Sequence, residues 1–281
     1  MGCRMSETTA RAARPQRPQT VLTVESTQWL SPHMVRVVAG GEGFANFQTN
    51  PATDKYVKMF FAKPHLGLTP PYDIENLRAT LPQEDWPVVR TYTVRWVDAA
   101  TQTLAIDFVV HGDEGIAGPW AASASAGDHI VFAGPGGAYA PDPAVAWHVF
   151  AGDESAIPAI AAALEALPGD ASGVAYIEVG APDDIQDLTV PAGVSVHWLQ
   201  RTAAESTTLL ADAVEAGHWP GHTSIQAFMH GEREAMKALR LILKQRGLTR
   251  EQISLSGYWA RGRTEDTFQA EKRQPIGQIA D

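Results

Sequence analysis

The pattern of apolar residues changes near residue 141, and this change constrains the fold more than any single motif does. Before it, between Val21 and Phe132, apolar and polar residues alternate in six short runs separated by turn residues. Beyond it, compact apolar runs alternate with stretches of helical periodicity. Six closely spaced alternating runs predict an antiparallel barrel or sandwich. Strands and helices in turn predict a doubly wound parallel sheet with crossover helices.

The same pattern locates the individual elements. The six N-terminal strands are predicted at "TVLTVES", "HMVRVVAG", "KYVKMFFA", "RTYTVRWV", "TLAIDFVVH" and "DHIVFAGP". The parallel strands are predicted at "WHVFAG", "VAYIEVG", "VSVHWLQ", "SIQAFMH" and "ISLSGYW", with helices at "IPAIAAALEAL", about 206–216 and "REAMKALRLILKQR". We therefore expect a disordered arm over residues 1–19, domains over 20–141 and 142–263, and a C-terminal tail over 264–281.

Charge and cysteine content exclude several classes of function. The 281 residues include 22 basic and 32 acidic side chains, which gives a formal net charge of −10. This charge argues against nucleic acid or an anionic membrane as the main partner. The single cysteine, Cys3, excludes disulfides within the chain and a cysteine-ligated iron–sulfur cluster. We name no metal-binding residues.

The sequence also bears on location. It contains no run of about 18 apolar residues that could span a bilayer. Its first 20 residues lack the apolar core of a signal peptide. We expect a cytoplasmic protein without a membrane partner.

The strand "VVRTYTVR", residues 88–95, carries an unusual set of polar side chains. Because strand side chains alternate between faces, Arg90 and Tyr92 share one face, while Thr91, Thr93 and Arg95 share the other. One face therefore presents a guanidinium beside an aromatic ring. Taken alone, the strand could equally lie at a sheet edge with its arginines paired to surface acids.

The first strand of the second domain ends at "AGDESAIPAI". Gly152 permits a tight turn, and the helix that follows could hold a pyrophosphate at its N-terminus. The usual G-x-G-x-x-G fingerprint is missing. Asp153 and Ser155 are also common helix caps, so a purely structural role stays open.

Four segments together, in this order, resemble the siderophore-interacting protein family, the flavin-dependent ferric-siderophore reductases of the ferredoxin–NADP reductase superfamily. They are "VRTYTVR" (89–95), "IDFVVHGDEGIAGPWA" (106–121), "GDESAIPAI" (152–160) and "SGYWARGR" (256–263). With the domain order, the resemblance covers roughly residues 20–263. It implies an N-terminal six-stranded β-barrel that binds FAD and a C-terminal domain that binds NADPH or NADH.

The resemblance assigns roles along the flavin strand. Arg90 would contact the flavin phosphate, Tyr92 would pack on the isoalloxazine ring, and Thr93 would meet its reactive edge. A guanidinium donates two parallel hydrogen bonds to a phosphate, and an aromatic ring stacks on a flat ring system. Arg95 lies on the other face of the strand, and we interpret it as one member of a structural ion pair.

The second segment resembles the family's diphosphate-binding stretch, where backbone N–H groups would hold the FAD pyrophosphate. This chain has Gly115, Ile116, Ala117 and Gly118 where the family pattern reads Gly-Pro-Ala-Ser, so the hydroxyl is missing. For His111, a hydrogen-bonded histidine at the barrel rim is the alternative. The cofactor-binding residues expected here are Val109, His111, Gly112, Gly115, Ala117 and Gly118.

In the family, the third and fourth segments frame the nicotinamide nucleotide. Gly152, Asp153, Glu154 and Ser155 would face its phosphates. Gly257 and Trp259 would lie near the flavin, although Trp259 could instead cap the core. Arg201 lies at the end of the third parallel strand, where it could meet an adenosine 2′-phosphate or simply be a surface arginine.

An anionic ferric siderophore would need cations beside the flavin. Lys55, Lys58, Arg261 and Arg263 are the candidates, and we favour Lys58, which corresponds to a lysine of the family. No general acid or base is required, so we name no catalytic residue.

The resemblance implies an NAD(P)H-dependent, FAD-containing ferric-siderophore reductase that frees iron in the cytoplasm. Two alternatives stay open. One is a flavoprotein reductase that exchanges electrons with a ferredoxin or oxygenase partner. The other is a siderophore-binding module without turnover.

Overall fold

A computed structural model describes residues 18–202, 208–221 and 224–279 of the chain. Nearly all of the arm expected at residues 1–19 lies outside these ranges, and so does Ser206, where a helix was expected to begin. Gln19, the last residue of the expected arm, is already the first residue of strand β1.

The N-terminal domain is a closed barrel of six antiparallel strands, as the sequence predicts. The strands follow one another around the barrel in the order β1-β2-β5-β4-β3-β6. Apolar side chains of every strand fill its interior, among them Leu22, Val37, Met59 and Phe132. The strands are β1 (Gln19–Ser31), β2 (Met34–Gly40), β3 (Tyr56–Phe61), β4 (Val88–Asp98), β5 (Thr103–Val109) and β6 (His129–Gly136).

Short helices accompany the barrel. Helix α1 (Ile74–Thr80) lies between β3 and β4, and Asp73 caps its N-terminus by accepting a hydrogen bond from the N–H of Asn76. Helix α2 (Ala117–Ser123) lies between β5 and β6 and buries Ala117 and Ala121 against the barrel core.

The C-terminal domain has a five-stranded parallel sheet in the order β11-β10-β7-β8-β9. Its central strand, β7, comes first in the sequence, so the chain runs outward in both directions and leaves a switch point between β7 and β10. In folds of this type, ligands bind beyond the carboxyl ends of the strands at that point. The strands are β7 (Trp147–Gly152), β8 (Ser172–Val179), β9 (Gly193–Gln200), β10 (Ile225–Glu232) and β11 (Ile253–Trp259).

Helices cover both faces of this sheet. Helix α3 (Ile157–Glu165) packs on one face against Phe150 and Ile177. Helices α4 (Leu209–Ala216) and α5 (Arg233–Gln245) pack on the other. Within the described ranges, no helix is both long enough and apolar enough to cross a bilayer.

Polar contacts join the two domains. Arg95 of β4 donates to Glu165 at the end of α3, with Nη1 2.8 Å from Oε2. The interpretation of Arg95 as a structural ion pair is thereby confirmed. Ser31 and the ring of His33 also lie 3.0 Å from the buried carboxylate of Asp184, which follows β8. These contacts join the barrel to the C-terminal domain.

The segment after Arg263, set apart above as a C-terminal tail, contains helix α6 (Glu265–Glu271). Its Phe268 is only 1% exposed. Glu271 accepts hydrogen bonds from Arg263 and from Arg233, the first residue of α5. The buried Phe268 and the ion pairs of Glu271 therefore fix α6 against the C-terminal domain.

His230 lies buried at the carboxyl end of β10. Its ring stacks on Phe228 at a centroid distance of 4.0 Å, and its Nε2 is 3.0 Å from the hydroxyl of Ser254. Burial lowers the pKa of His230 to about 3, because the imidazolium form would lose its hydration there. The folded protein therefore holds this side chain neutral.

His230 makes the stability of the fold depend on pH. An unfolded histidine titrates near pH 6.5, well above the folded pKa of His230. Its contribution to stability is therefore fully present above pH 6.5 and is lost as the pH falls from 6.5 towards 3. We expect the free energy of unfolding of His230→Gln to fall less steeply with decreasing pH than that of wild type, by up to about 1.4 kcal/mol per pH unit. Urea unfolding at several pH values between 6.5 and 4.5 measures both slopes.

The matched control is His129→Gln, which changes an exposed histidine at the start of β6. This variant should follow the wild-type dependence on pH. Equal slopes for wild type and His230→Gln would show that His230 does not couple folding to protons.

Candidate active site

A cleft of about 650 Å³ lies where the barrel meets the carboxyl ends of the parallel strands. Residues from β3, β4 and β5 form its barrel side, and residues that follow β7 and β9 or lie in and after β11 form its sheet side. Helix α6 contributes Glu265 and Gln269 at one end. The structure brings eleven predicted site residues to this cleft: Lys58, Tyr92, Thr93, Val109, His111, Asp153, Glu154, Ser155, Arg201, Trp259 and Arg263.

Strand β4 supplies the aromatic part of the cleft. Tyr92 lies 4.4 Å from Phe108, measured between ring centroids, and packs on the barrel core. Burial raises the pKa of the Tyr92 phenol, so its hydroxyl stays protonated at neutral pH. Thr93 is buried beside it, and the cleft also reaches Thr91. Both faces of β4 therefore meet the cleft near Tyr92.

Arg90 lies near the cleft but is not among its lining residues. Its guanidinium is mostly buried, with 17% of the side chain exposed, and Nη1 lies 3.0 Å from the carboxylate of Asp266 on α6. Asp266 itself is 78% exposed. The two partners therefore differ in their access to solvent: the protein surrounds the side chain of Arg90, whereas water can replace Arg90 as the partner of the Asp266 carboxylate.

Asp153 connects the ends of three strands. Its carboxylate accepts hydrogen bonds from the N–H and hydroxyl of Ser155, from the N–H of Glu232 at 2.7 Å, and from the indole of Trp259 at 2.8 Å. Burial raises the pKa of Asp153 to about 6, although these hydrogen bonds oppose the shift. The interpretation of Asp153 as a helix cap is confirmed, because it caps the 3-10 turn Glu154–Ala156.

Arg201 is neither free nor simply on the surface. Its Nη1 donates to Glu178 at 2.9 Å, and its Nη2 donates to Glu154. Burial opposes the charge of Arg201, but its hydrogen bonds to these two acids raise the pKa of the guanidinium. We call this group the Glu154–Arg201–Glu178 cluster.

Of the two predicted glycines of the sheet, Gly152 is required by close packing, whereas the space around Gly257 would accept a Cβ at ordinary contact distances. A Cβ at Gly152 would lie 2.7 Å from the carbonyl oxygen of His230, so β7 and β10 could not approach as they do. Gly257 is buried, and a Cβ there would lie 3.5 Å from the Cα of Arg233. Neither glycine lines the cleft.

The segment between β5 and α2 forms the rim of the cleft. His111 and Glu114 line it, whereas Gly112 and Gly115 adopt φ values of 54° and 80° in open space. A Cβ at Gly118 would lie 3.2 Å from the carbonyl oxygen of Val109. Helix α2 thus packs closely on the end of β5 at Gly118. Ala117 is buried within the same contact.

The predicted cations separate into two groups. Lys58 and Arg263 line the cleft, but Lys55 and Arg261 do not. Lys55 donates to the carbonyl of Ala52, and the backbone N–H of Arg261 donates to Glu232.

A further cation, Lys272, was not expected from the sequence. It follows α6 and lines the cleft. Desolvation lowers the pKa of both Lys58 and Lys272, whereas the charge of Glu265 raises the pKa of both. The charge of Lys58 also lowers the pKa of Lys272, so the two lysines and Glu265, all of which line the cleft, influence one another electrostatically. The sequence could have indicated α6 through Thr264, a typical N-cap before two acidic residues, but not that α6 reaches the cleft.

The residues present fit a flavin dinucleotide. Tyr92 offers an aromatic surface, the guanidinium of Arg90 suits a phosphate, and no side chain caps the first N–H groups of α2. Two positive-φ glycines let the backbone pass close to a ligand at the rim.

Known proteins show similarity along the whole chain. It is 47% identical to an uncharacterised protein of Mycobacterium tuberculosis over 274 residues, which covers 92% of this chain and 96% of that protein. It is 35% identical to the ferric vibriobactin reductase of Vibrio cholerae over 250 residues, covering 87% and 90%.

Solved structures of other proteins also resemble this chain. A siderophore utilization protein from T. fusca superposes with a TM-score of 0.77 at 36% identity, covering 88% of this chain and 94% of that one. A ferredoxin NADP+ reductase from Neisseria gonorrhoeae shares the fold, with a TM-score of 0.59 at 14% identity, covering 86% and 99%.

Family models match both domains. Residues 23–139 match the siderophore-interacting FAD-binding domain, and residues 145–262 match the siderophore-interacting protein model. These matches confirm the resemblance, the fold and FAD as the cofactor. The chain therefore belongs to the siderophore-interacting protein family.

Proposed function

We propose that this protein is an NAD(P)H-dependent, FAD-containing reductase that releases iron from ferric siderophores in the cytoplasm. One observation carries the proposal. A single cleft brings together the aromatic ring of Tyr92 on β4, the carboxyl edge of a parallel sheet and two lysines, Lys58 and Lys272. These are the three elements that an electron donor, a flavin and an anionic acceptor require. The ferric reductase name of a relative from Vibrio cholerae supports the same reaction.

On the barrel side, the chain would hold FAD. Arg90 would bind a phosphate of FAD after exchanging Asp266 for it, and Tyr92 and Thr93 would contact the ring system. Val109, His111 and the segment from Gly112 to Gly118 would border the diphosphate. A bound flavin can take up two electrons as a hydride and pass them on singly, which matches a nicotinamide donor to Fe(III).

On the sheet side, the chain would position the nicotinamide nucleotide. The segment Gly152 to Ser155 lies at the switch point of the sheet, where such nucleotides bind. Asp153 holds the indole of Trp259 in place, and the Trp259 ring would shield the reacting face from water. Because Asp153 and His230 are engaged within the fold, we assign neither of them a proton-transfer step.

The acceptor would bind beside Lys58 and Lys272. Many ferric siderophores are anionic, and an anion between two ammonium groups relieves their repulsion. Once reduced, the iron dissociates more easily because hard oxygen ligands hold Fe(II) less tightly than Fe(III).

An anaerobic titration tests the function. FAD-loaded protein should lose its yellow absorbance with NADH or NADPH, and adding a ferric siderophore should restore the absorbance and yield Fe(II), trapped by a colour-forming chelator. If only a reduced ferredoxin bleaches the flavin, the electron donor is a protein and not a nicotinamide nucleotide. A lack of bleaching by any donor would leave a binding module instead.

Arg90→Ala should weaken FAD binding about 10- to 100-fold, because a charge-assisted contact to phosphate contributes on the order of 1.5–3 kcal/mol. Equilibrium titration of the apoprotein with FAD, followed by fluorescence, measures the loss. The control Asp266→Asn removes only the exposed partner of Arg90 and should bind FAD at least as well as wild type. If Arg90→Ala binds FAD normally, Arg90 has only a structural role.

Lys58→Ala and Lys272→Ala should each raise the KM for an anionic ferric siderophore several-fold, without changing the rate of flavin reduction. Rapid mixing of the reduced protein with the chelate measures the acceptor step separately. Lys63→Ala, which removes a lysine paired with Asp85 outside the cleft, is the matched control. Equal impairment with a neutral ferric chelate would show that the flavin site had been disturbed instead.

A further inference from the structure

The Glu154–Arg201–Glu178 cluster forms a defined site beyond the carboxyl ends of three neighbouring strands. Glu154 follows β7, Glu178 is near the end of β8, and Arg201 follows β9. Both carboxylates are buried, and the N–H of Gly180 donates to Glu154 at 2.7 Å. A Cβ at Gly180 would lie 3.4 Å from both Arg201 and Glu154, so the backbone packs directly against the cluster.

The position of the cluster corresponds to a specific part of a dinucleotide. In doubly wound sheets, the phosphates bind after the first strand and the adenosine ribose binds beyond the end of the next. Here these strands are β7 and β8, which are neighbours in the sheet. The N–H of Arg201 donates to the carbonyl oxygen of Val179, the last residue of β8, so Arg201 lies beside the end of that strand and reaches back to Glu154 after β7. Both Arg201 and Glu154 line the cleft. The cluster therefore lies where a nucleotide would present its adenosine 2′ position.

The charge of the cluster disfavours a phosphate there. One guanidinium and two carboxylates give a formal sum of −1, and both terminal nitrogens of Arg201 already donate to the acids. A 2′-phosphate would add a charge of about −1.5 to −2. A guanidinium has five N–H groups, so donors do not decide the matter, but a single positive charge would then face two buried carboxylates and a phosphate, and uncompensated buried charges are costly.

The ribose diol of NADH carries no charge, so it adds no uncompensated charge to the cluster. Its hydroxyls can donate to a carboxylate oxygen of Glu154 without separating Glu154 from Arg201, since a carboxylate accepts several hydrogen bonds. An acidic side chain that accepts from the ribose 2′-hydroxyl is the general device by which doubly wound domains select NAD over NADP.

We propose that the Glu154–Arg201–Glu178 cluster excludes the 2′-phosphate, so that this protein takes its electrons from NADH in preference to NADPH. This inference rests on the proposed reductase function and specifies its donor. Arg201 then acts as the counter-ion of two acids, and Glu154 is the specificity-determining residue.

Two measurements on the FAD-loaded protein test the proposal. Calorimetric titration should show that NAD⁺ binds at least about 10-fold more tightly than NADP⁺, a difference of about 1.4 kcal/mol. Anaerobic rapid mixing should show faster flavin bleaching by NADH at equal low concentrations. Equal or tighter binding of NADP⁺ would overturn the inference and leave the reductase function intact. If neither nucleotide binds or bleaches the flavin, the proposed function fails and the inference fails with it.

Variants locate the selecting charge. Glu154→Gln keeps an acceptor for the N–H of Gly180 but removes one negative charge, and it should tighten NADP⁺ about 10-fold while changing NAD⁺ less than about 3-fold. Glu178→Gln provides the same test if Glu154→Gln does not fold. Unchanged NADP⁺ affinity in the folded variant would overturn the proposal.

The control is Asp85→Asn, which removes the same charge from the Lys63–Asp85 pair outside the cleft. It should leave the affinities for NAD⁺ and NADP⁺ as they are in wild type. An equal gain of NADP⁺ affinity in this variant would show that total charge, and not the cluster, sets the preference.

Discussion

The buried carboxylate of Asp153 is the interaction on which the cleft depends. It joins the ends of β7, β10 and β11 through hydrogen bonds to Ser155, Glu232 and Trp259. Gly231 makes this possible, because a Cβ there would lie 2.5 Å from the carboxylate and its φ of 150° strains other residues. The switch point of the sheet thus has a fixed shape before any nucleotide binds, and such preorganisation lowers the entropy lost on binding.

Local charge within the cleft differs from the charge of the whole protein. A net charge of −10 repels anions at long range, but salt screens that repulsion beyond about 8 Å. Contacts at short range therefore decide what binds. Lys58 and Lys272 bring positive charge to the cleft, while the carboxylates of Glu154 and Glu178 outweigh the charge of Arg201 in their cluster. This difference in local charge is the basis on which we propose an anionic ferric chelate as acceptor and a dinucleotide without a 2′-phosphate as donor.

Helix α6 links binding on the barrel side to the C-terminal segment. Its Asp266 pairs with Arg90, and Glu265 and Gln269 line the cleft. Phe268 and the contacts of Glu271 with Arg233 and Arg263 anchor the helix on the opposite side. A short segment at the end of the chain thereby contributes to both the proposed flavin site and the proposed acceptor site.

Much of the fold follows from local pattern alone. Alternation with period two and helical periodicity depend on neighbouring residues, so the six barrel strands, the five parallel strands and their order along the chain could be predicted. The shared face of Arg90 and Tyr92 on β4 could also be predicted, because side chains two residues apart on a strand point to the same side. Asp153 could be read as a cap because capping is also a local interaction.

Long-range pairing decided the rest. Whether six strands close into a barrel depends on which edges meet, and β1 pairs with β6 across more than 100 residues. The partners of Arg201 are likewise distant, so the sequence could predict that it stands at a strand end but not that Glu154 and Glu178 neutralise it. Lys272 lies in a segment without apolar periodicity, and long-range contacts of α6, the packing of Phe268 and the ion pairs of Glu271, bring it to the cleft that Lys58 also lines. The sequence by itself determined the elements and their chemistry. The tertiary structure alone decided which charges meet, because Coulomb and hydrogen-bond energies depend on distances between side chains that chain order does not set.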